Sequence, residues 1–459
     1  MRISLKIAFV AFAVSIGFFV LTLSLNRRQN NVNLNQQENV QSNKNLSPTG
    51  KILFATNNSI NIYDFATRTE SKIIENIENA GSSWKYSNGF LFVIKDQKEI
   101  IRKNLTTSEE TTIVFTLKDC LPTPKTDSYC DVNYIFPSPD GNKLVIDVYG
   151  GSGEKYGMTT PDDFVNLAFV ADYTTNKNIP KLISKSTPYP YLQNPIWFSD
   201  NQNLFIGDKT VIDTSTLRQS KLTKLTSNII YPSFTGNHYL WFSETIDTNY
   251  QSIFDDFKRP NLVNSSLDKG SNSYGIPFIK FPIVARDFKE ITKAIPIRNS
   301  NIYLIEINSG GKKDVFLTDS GSTFKKLNPN NSDSYIYVSY LPSSQQILAI
   351  RSTEDRSYGI KVSESQLVLL PESNYAEYVA NINNGPAIYK EKSILKFTDP
   401  RQSQYISNRL AVSPDEKFIL LPLSNKNYYD FSDYTLVDLD SGNSQKQDVN
   451  FGNDFVWLK

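Results

Sequence analysis

The sequence predicts an all-β chain, a seven- or eight-bladed β-propeller of four-stranded antiparallel blades, and three observations predict it. The first is a phrase that recurs, SPDGNKLVIDV at Ser138–Val148 and SPDEKFILLPL at Ser413–Leu423. Looser copies are FSDNQNLFIG from Phe198, SFTGNHYLWFS from Ser233 and LPSSQQILAIR from Leu341. Each is a tight polar turn that feeds a short apolar strand. The second is a recurring aspartate at a strand end: Asp64 after SINIY, Asp172 after LAFVA, Asp213 after KTVI, Asp319 after DVFLT and Asp438 after YTLV. An aspartate side chain accepts hydrogen bonds from backbone two residues on, so it starts turns. The third is the rarity of helical periodicity from Gly50 onward, where short apolar runs alternate with Ser, Asp, Asn, Gly and Pro.

Taken in order, the elements begin with Ile7–Leu25, IAFVAFAVSIGFFVLTLSL, between Arg2 and Lys6 on one side and Arg27 and Arg28 on the other. About 20 apolar residues cross a bilayer as a helix. The slightly more positive N-terminal flank keeps residues 1–6 inside. The expectation is a single-pass signal-anchor helix over 7–25, with everything after it outside the cytoplasm. A cleaved signal peptide is the alternative, and it gives a secreted protein. Residues 26–49 are rich in Asn and Gln and poor in large apolar side chains. They read as a disordered linker, because such a segment buries too little apolar surface to fold. The propeller domain then covers 50–459.

Within it the unit reads strand a, SPDG-type turn, strand b, loop, strand c, Asp turn, strand d. Second-strand candidates start near Ile52, Phe90, Leu144, Leu204, Tyr239, Ile302, Ile347, Pro386 and Phe418. From the first to the last they recur about every 46 residues, near the roughly 40–50 of a propeller blade. That makes nine candidates, whereas propellers usually have about 4–8 blades, so one or two are not independent. The opening KILFAT and SINIYDF fit strands b and c without an a, and the closing DFVWLK fits an a without a b. One blade shared by both ends closes the ring and removes exposed sheet edges.

The SPDG and SPDE turns with their following strands, together with the Asp turns, resemble the TolB-like and WD-repeat-like propellers of exported bacterial proteins. The blades at Ser87–Phe90 and Asn383–Ala387 depart from that pattern, and no Trp-Asp signature ends a blade. The resemblance implies an interaction platform. In that family the propeller sometimes precedes a hydrolase domain, for which no room is expected after the closing strand.

Charge and chemistry narrow the function. Lys plus Arg is 48 against 47 Asp plus Glu, which gives no nucleic-acid footprint. Cys120 and Cys130 are the two cysteines and lie in a Pro-rich loop, where a disulfide is expected in an exported chain. Two unpaired thiols are the alternative. His238 is the one histidine, on a repeat-type turn, so neither a His-rich metal site nor a Ser-His-Asp triad is expected. No cofactor fingerprint is present, and no metal site is assigned. The acidic pairs Asp162 with Asp163 and Asp255 with Asp256 sit in polar loops, where adjacent acids are usually solvated.

Blade geometry puts the b–c loops and d–a crossovers at one end. The long segments Asp119–Val132, Gly150–Asn166, Ser184–Pro195, Thr245–Gly275 and Ser424–Asp433 all map there. They carry Tyr156, Tyr189, Tyr191, Tyr250, Phe254, Phe257, Arg259, Tyr428, Tyr429 and Phe431, residue types that are common at interfaces. The functional expectation is therefore a membrane-anchored, extracytoplasmic, non-catalytic module that binds a protein, peptide or cell-wall glycan, with the membrane contact made by the N-terminal helix. The alternative is a propeller-fold carbohydrate-active or other hydrolytic enzyme using loop carboxylates.

Overall fold

The computed structural model describes residues 46–77, 83–121, 123–124, 126, 128–152, 165–175, 179–186, 195–206, 210–222, 230–232, 238–246, 258–266, 276–280, 288–297, 302–309, 312–319, 324–327, 333–355, 361–371, 391–397, 410–422, 433–452 and 454–458. Among them are 32 strands in eight four-stranded antiparallel sheets, and one short helix. The chain opens with β1 (Lys51–Ala55), β2 (Ser59–Asp64) and β3 (Thr69–Glu75). A second sheet holds β4 (Trp84–Ser87), β5 (Phe90–Lys95), β6 (Glu99–Asn104) and β7 (Glu110–Val114). The helix α1 (Leu117–Cys120) leads into the third sheet. That sheet consists of β8 (Ser128–Pro137), β9 (Lys143–Ser152), β10 (Val165–Asp172) and β11 (Lys181–Ser186).

The fourth sheet holds β12 (Ile196–Trp197), β13 (Asn203–Phe205), β14 (Thr210–Asp213) and β15 (Gln219–Lys221). The fifth holds β16 (Ile230–Pro232), β17 (His238–Ile246), β18 (Lys258–Ser266) and β19 (Ile276–Lys280). The sixth holds β20 (Phe288–Ile297), β21 (Ile302–Ser309), β22 (Lys312–Asp319) and β23 (Phe324–Lys326). The seventh holds β24 (Asp333–Leu341), β25 (Gln346–Asp355), β26 (Lys361–Pro371) and β27 (Lys392–Lys396). Last come β28 (Ala411–Val412), β29 (Phe418–Pro422), β30 (Tyr434–Asp438) and β31 (Ser444–Gln447). The final strand, β32 (Phe455–Leu458), returns to pair antiparallel with β1, Ile52 opposite Trp457.

Eight of the nine expected second strands start where the structure has them. The ninth, at Pro386, falls outside the described residues and lies between β26 and β27, consecutive strands of one sheet. The expected anchor helix, 7–25, also lies outside the described residues. No helix among the described residues is long and apolar enough to cross a membrane. At the end of the expected linker, Leu46 is buried and its N–H donates to Gln445 Oε1 (3.0 Å), while Thr49 O accepts from Trp457 Nε1 (3.3 Å).

The recurrent turns form by the chemistry expected of them. Ser138 Oγ donates to Asp140 Oδ1 (2.6 Å), and the same carboxyl accepts from Asn142 N (3.0 Å). Ser413 and Asp415 repeat this at 2.5 Å. The fourth residue of each turn takes a positive φ: 71° at Gly141, 56° at Asn201 and 57° at Glu416. Asp64, Asp172, Asp213 and Asp438 each accept from the backbone N–H two residues on.

Cores run between neighbouring sheets. Leu53 and Ile60 of the first sheet pack with Leu91 and Val93 of the second. Phe92 and Ile94 pack with Leu144 and Ile146 of the third. Val145 and Ala168 pack with Trp197 and Leu204 of the fourth. Leu304 of the sixth sheet meets Ile347 of the seventh, and Leu348 meets Ile419 of the eighth. Leu420 of the eighth closes against Ile52 and Phe54 of the first. First strands also touch one another, β4 with β8, β12 with β16, β16 with β20, β20 with β24, and β28 with β32. First strands therefore form the inner edge of the sheets, and the a–b turns of adjacent sheets meet at one end. There Asp140 N donates to Asn201 Oδ1 (3.1 Å), and Ser343 N and Ser344 N donate to the Glu416 carboxylate (3.0 and 2.8 Å).

Candidate functional site

Nine of the ten expected surface residues, Tyr156, Tyr189, Tyr191, Tyr250, Phe254, Phe257, Tyr428, Tyr429 and Phe431, lie outside the described residues. So do both loop acid pairs, Asp162 with Asp163 and Asp255 with Asp256. Arg259 corrects its expected place. It sits on β18, opposite Thr245, and not in a loop. Thr245–Gly275 was expected as one loop because its Asn, Asp, Ser and Lys content resembles turns, yet 258–266 pairs fully with β17. The segment Asp119–Val132 likewise holds the end of α1 and the start of β8.

The cysteines form the expected disulfide, Cys120 to Cys130, with Cα atoms 5.7 Å apart. Thr116 N and Oγ1 donate to Asp119 Oδ2 (2.6 and 2.7 Å), a reciprocal cap that sets the helical turn carrying Cys120. The disulfide is buried against Gly150, where an added Cβ would lie 2.7 Å from Cys120 Cβ. It fixes the start of β8, the strand that carries the site.

In β8 and β9 core residues alternate with polar ones. Cys130 and Val132 face the second sheet, as do Ile146 and Val148. The other face carries Asp131, opposite Tyr149, and Asp147, opposite Ala168 on β10. Asp131 is 5% exposed and Asp147 1%. A bulge between Val132 and Tyr134 makes Asn133 and Tyr134 together oppose Asp147. Asn133 Nδ2 donates to Asp147 Oδ2 (3.2 Å). Among the described residues, Asp147 Oδ1 has no hydrogen-bond partner. The apolar packing of Ala168, Val145 and Trp197 withdraws water from this carboxyl. Burial pushes its pKa up to about 6, and the Asn133 bond opposes that shift. A carboxyl half-protonated near pH 6 both gives and accepts protons near neutrality.

The sixth sheet repeats the placement. Glu306 is the fifth residue of β21, as Asp147 is of β9, and it is 6% exposed opposite Val315. On the facing seventh sheet, Arg351 Nη1 pairs with Glu391 Oε1 (3.1 Å). At the turn end, Arg102 lies 3.6 Å over the Phe90 ring and 4.6 Å over Tyr173, and its Nη2 donates to Gly141 O (3.1 Å). Arg102 thereby ties the second sheet to the third. Buried oxygens without a hydrogen-bond partner also occur on Tyr173 and Glu391, and Asp147 differs from these in being a carboxyl that burial raises to about 6. The strand through Val145–Asp147 was legible, whereas Cys130–Val132 was read as the end of the Asp119–Val132 crossover loop and is part of β8. The signal for the site was a carboxylate alternating with apolar residues inside each, which loop-centred reasoning passed over.

No family model matches the chain, and no curated protein matches it in sequence. Among solved structures, dipeptidyl peptidase 4 of Porphyromonas gingivalis aligns with 81% of this chain and 54% of its own, at 10% identity and a TM-score of 0.50. This chain thus spans about half of that peptidase. An oligogalacturonate lyase of Vibrio parahaemolyticus aligns over 80% of this chain and 86% of its own, at 10% identity and a TM-score of 0.43. Prolyl oligopeptidase B of Galerina marginata aligns over 78% and 49%, at 11% identity and a TM-score of 0.42. These likenesses bear on fold alone. The peptidase likeness corrects the expectation of a non-catalytic interaction module, because the propeller fold on which that expectation partly rested also occurs in enzymes. What sequence repeat, sheet topology and structural likeness agree on is a chain of the propeller type.

Proposed function

We propose that this chain is a propeller-fold hydrolytic enzyme whose proton-transfer group is Asp147 and whose second carboxyl is Asp131. The observation that carries the reading is the buried Asp147 carboxyl, raised to about 6, with one oxygen that no group among the described residues satisfies. Strongly perturbed carboxyls in apolar surroundings are where acid–base catalysts are found. Asp131 is the diagonal neighbour of Asp147 across β8 and β9. Diagonal neighbours in an antiparallel pair stand about 7–8 Å apart at the backbone and present both side chains to one face of the sheet. In that arrangement Asp147 gives its proton to the leaving oxygen, and Asp131 takes one from the attacking water.

The same reading makes the eight sheets eight blades, closed by β32 on β1, of the TolB-like kind the SPDG turns resemble. The segment 7–25 holds the domain outside the cytoplasm, in keeping with the Cys120–Cys130 disulfide, which persists in oxidising compartments.

The test is hydrolysis of a panel of polysaccharides and chromogenic glycosides by the detergent-solubilised full chain between pH 4 and 8. Activity is expected to fall as pH rises through about 6, and D147N is expected to lose at least 100-fold while remaining folded by circular dichroism. Equal activity of wild type and D147N, or hydrolysis of nothing in the panel, sinks the reading.

A further inference from the structure

We infer that Tyr134 is a stacking platform for a pyranose ring beside the Asp147 carboxyl, which makes the substrate a carbohydrate. The inference rests on the hydrolytic reading above and names its substrate class.

Three observations converge on this side chain. Tyr134 is 53% exposed, and it is the aromatic residue among the exposed large hydrophobics of the described residues. The others, Val114, Ile179 and Leu182, belong to β7, the approach to β11 and β11, on the outer side of their sheets. Tyr134 instead lies on β8, at the inner edge, where side chains of neighbouring strands are mostly buried. The second observation is the bulge, which sets Asn133 and Tyr134 together opposite Asp147. Without that extra residue, strict alternation would send one of the two to the face packed on the second sheet. Bulges re-aim side chains in this way and are common next to active sites. The third is the neighbouring ring of Phe136, 6.3 Å away and tilted by 46°, which braces the tyrosine from the turn side.

An exposed aromatic face beside the half-buried Asn133 carboxamide is the pairing a sugar needs. The C–H face of a pyranose packs on the negative face of the ring, and its hydroxyls hydrogen-bond to the polar groups at the rim. A peptide would need an exposed strand edge or backbone partners at the same place. The inner edge of β8 is instead occupied by its contact with β4. A platform at this position presents a bound ring to the side of the sheet where Asp131, Asn133 and Asp147 are held.

The experiment measures binding apart from turnover. The full-length D147N chain in detergent is titrated with two probes, a β-1,4-linked glucose hexamer and a β-1,4-linked N-acetylglucosamine hexamer, by isothermal calorimetry. One of them is expected to bind. Y134A in the same background is expected to weaken that binding at least tenfold, and Y134F to stay within about twofold, since the ring and not the hydroxyl does the stacking. In the active chain, Y134A is expected to raise KM at least tenfold with a much smaller change in kcat. Binding of neither hexamer, or equal binding by the parent and Y134A, overturns the platform. Binding lost in Y134A while D147N keeps full hydrolytic activity overturns the role of Asp147 and leaves the platform standing.

Discussion

At the scale of single residues, burial decides what a carboxylate is for. Asp140 and Asp147 lie seven positions apart, yet their environments push them in opposite directions. Burial raises Asp140 too, but hydrogen bonds from Ser138 and from the backbone and side chain of Asn142 outweigh it and hold the group below its usual value. It is a turn-former and stays ionised. Asp147 has one donor, Asn133, and an apolar surround, so its neutral form is favoured up to about pH 6. The sign follows directly. A carboxyl whose folded value lies above its unfolded value contributes stability below about pH 4, and that contribution is lost as pH rises through about 6. By pH 8 the ionised Asp147 costs on the order of 3 kcal/mol. D147N keeps the shape and the bond to Asn133 without the charge. It is expected to be more stable than wild type at pH 8 and about equal at pH 4, as read by urea denaturation at each pH. An identical pH profile in the two proteins would show that Asp147 is solvated in the fold. Gained stability with lost hydrolysis marks a group kept for chemistry at the expense of the fold.

At the scale of elements, the repeated turn does two jobs. It reverses the chain between the first and second strands, and it ties one sheet to the next. Glu416 shows both, with φ of 57° at the turn and a carboxylate that accepts from Ser343 N, Ser344 N and Ser344 Oγ of the preceding sheet. E416A is expected to cost about 1 kcal/mol, because these bonds are exposed to water and worth little individually. Gly141 carries the stronger constraint. Its φ is 71°, and an added Cβ would stand 2.8 Å from Ser87 O and 2.6 Å from the Phe90 ring. G141A is therefore expected to destabilise by more than E416A, about 2 kcal/mol or above, from backbone strain and overpacking together. Chemical denaturation ranks the two, and the reverse order would mean that the turns are held by their side-chain bonds rather than by their backbone.

The turns were legible because their chemistry is local: Ser, Asp and Gly within five residues suffice to specify them. The nine second-strand candidates show where legibility ends. Eight start at strands of the structure, and the ninth, at Pro386, lies outside the described residues, between consecutive strands of one sheet. The stretch 258–266 was missed. Its sequence, KRPNLVNSS, has little strand propensity, and it becomes a strand because β17 offers a ladder along its full length.

At the scale of the whole molecule, the seam of the first sheet joins both ends of the domain. Trp457 of β32 stacks on Phe65 with ring centroids 5.0 Å apart, pairs opposite Ile52 and reaches Thr49 O. Phe451 and Tyr434 pack edge-on beside it, and the Tyr434 hydroxyl donates to Gly452 O. W457A removes a buried aromatic at this junction and is expected to cost about 3–5 kcal/mol. Cleavage of the full chain near 46–50 by a non-specific protease should accelerate in the variant. A variant that melts and resists protease like wild type would show that the pairing of β32 with β1 does not hold the domain together.

The sequence by itself determined the kind of fold, the turns that repeat through it, the disulfide and the return of the last strand to the first, because each is written in residues that act on near neighbours or recur at a fixed period. Only the tertiary structure decided which carboxylate is buried and raised. Asp147 is unremarkable in the string KLVIDVYG. Its pKa rises to about 6 because burial withdraws water from it, on a sheet whose Val145 and Ala168 pack with Trp197 and Leu204, some fifty residues later in the chain.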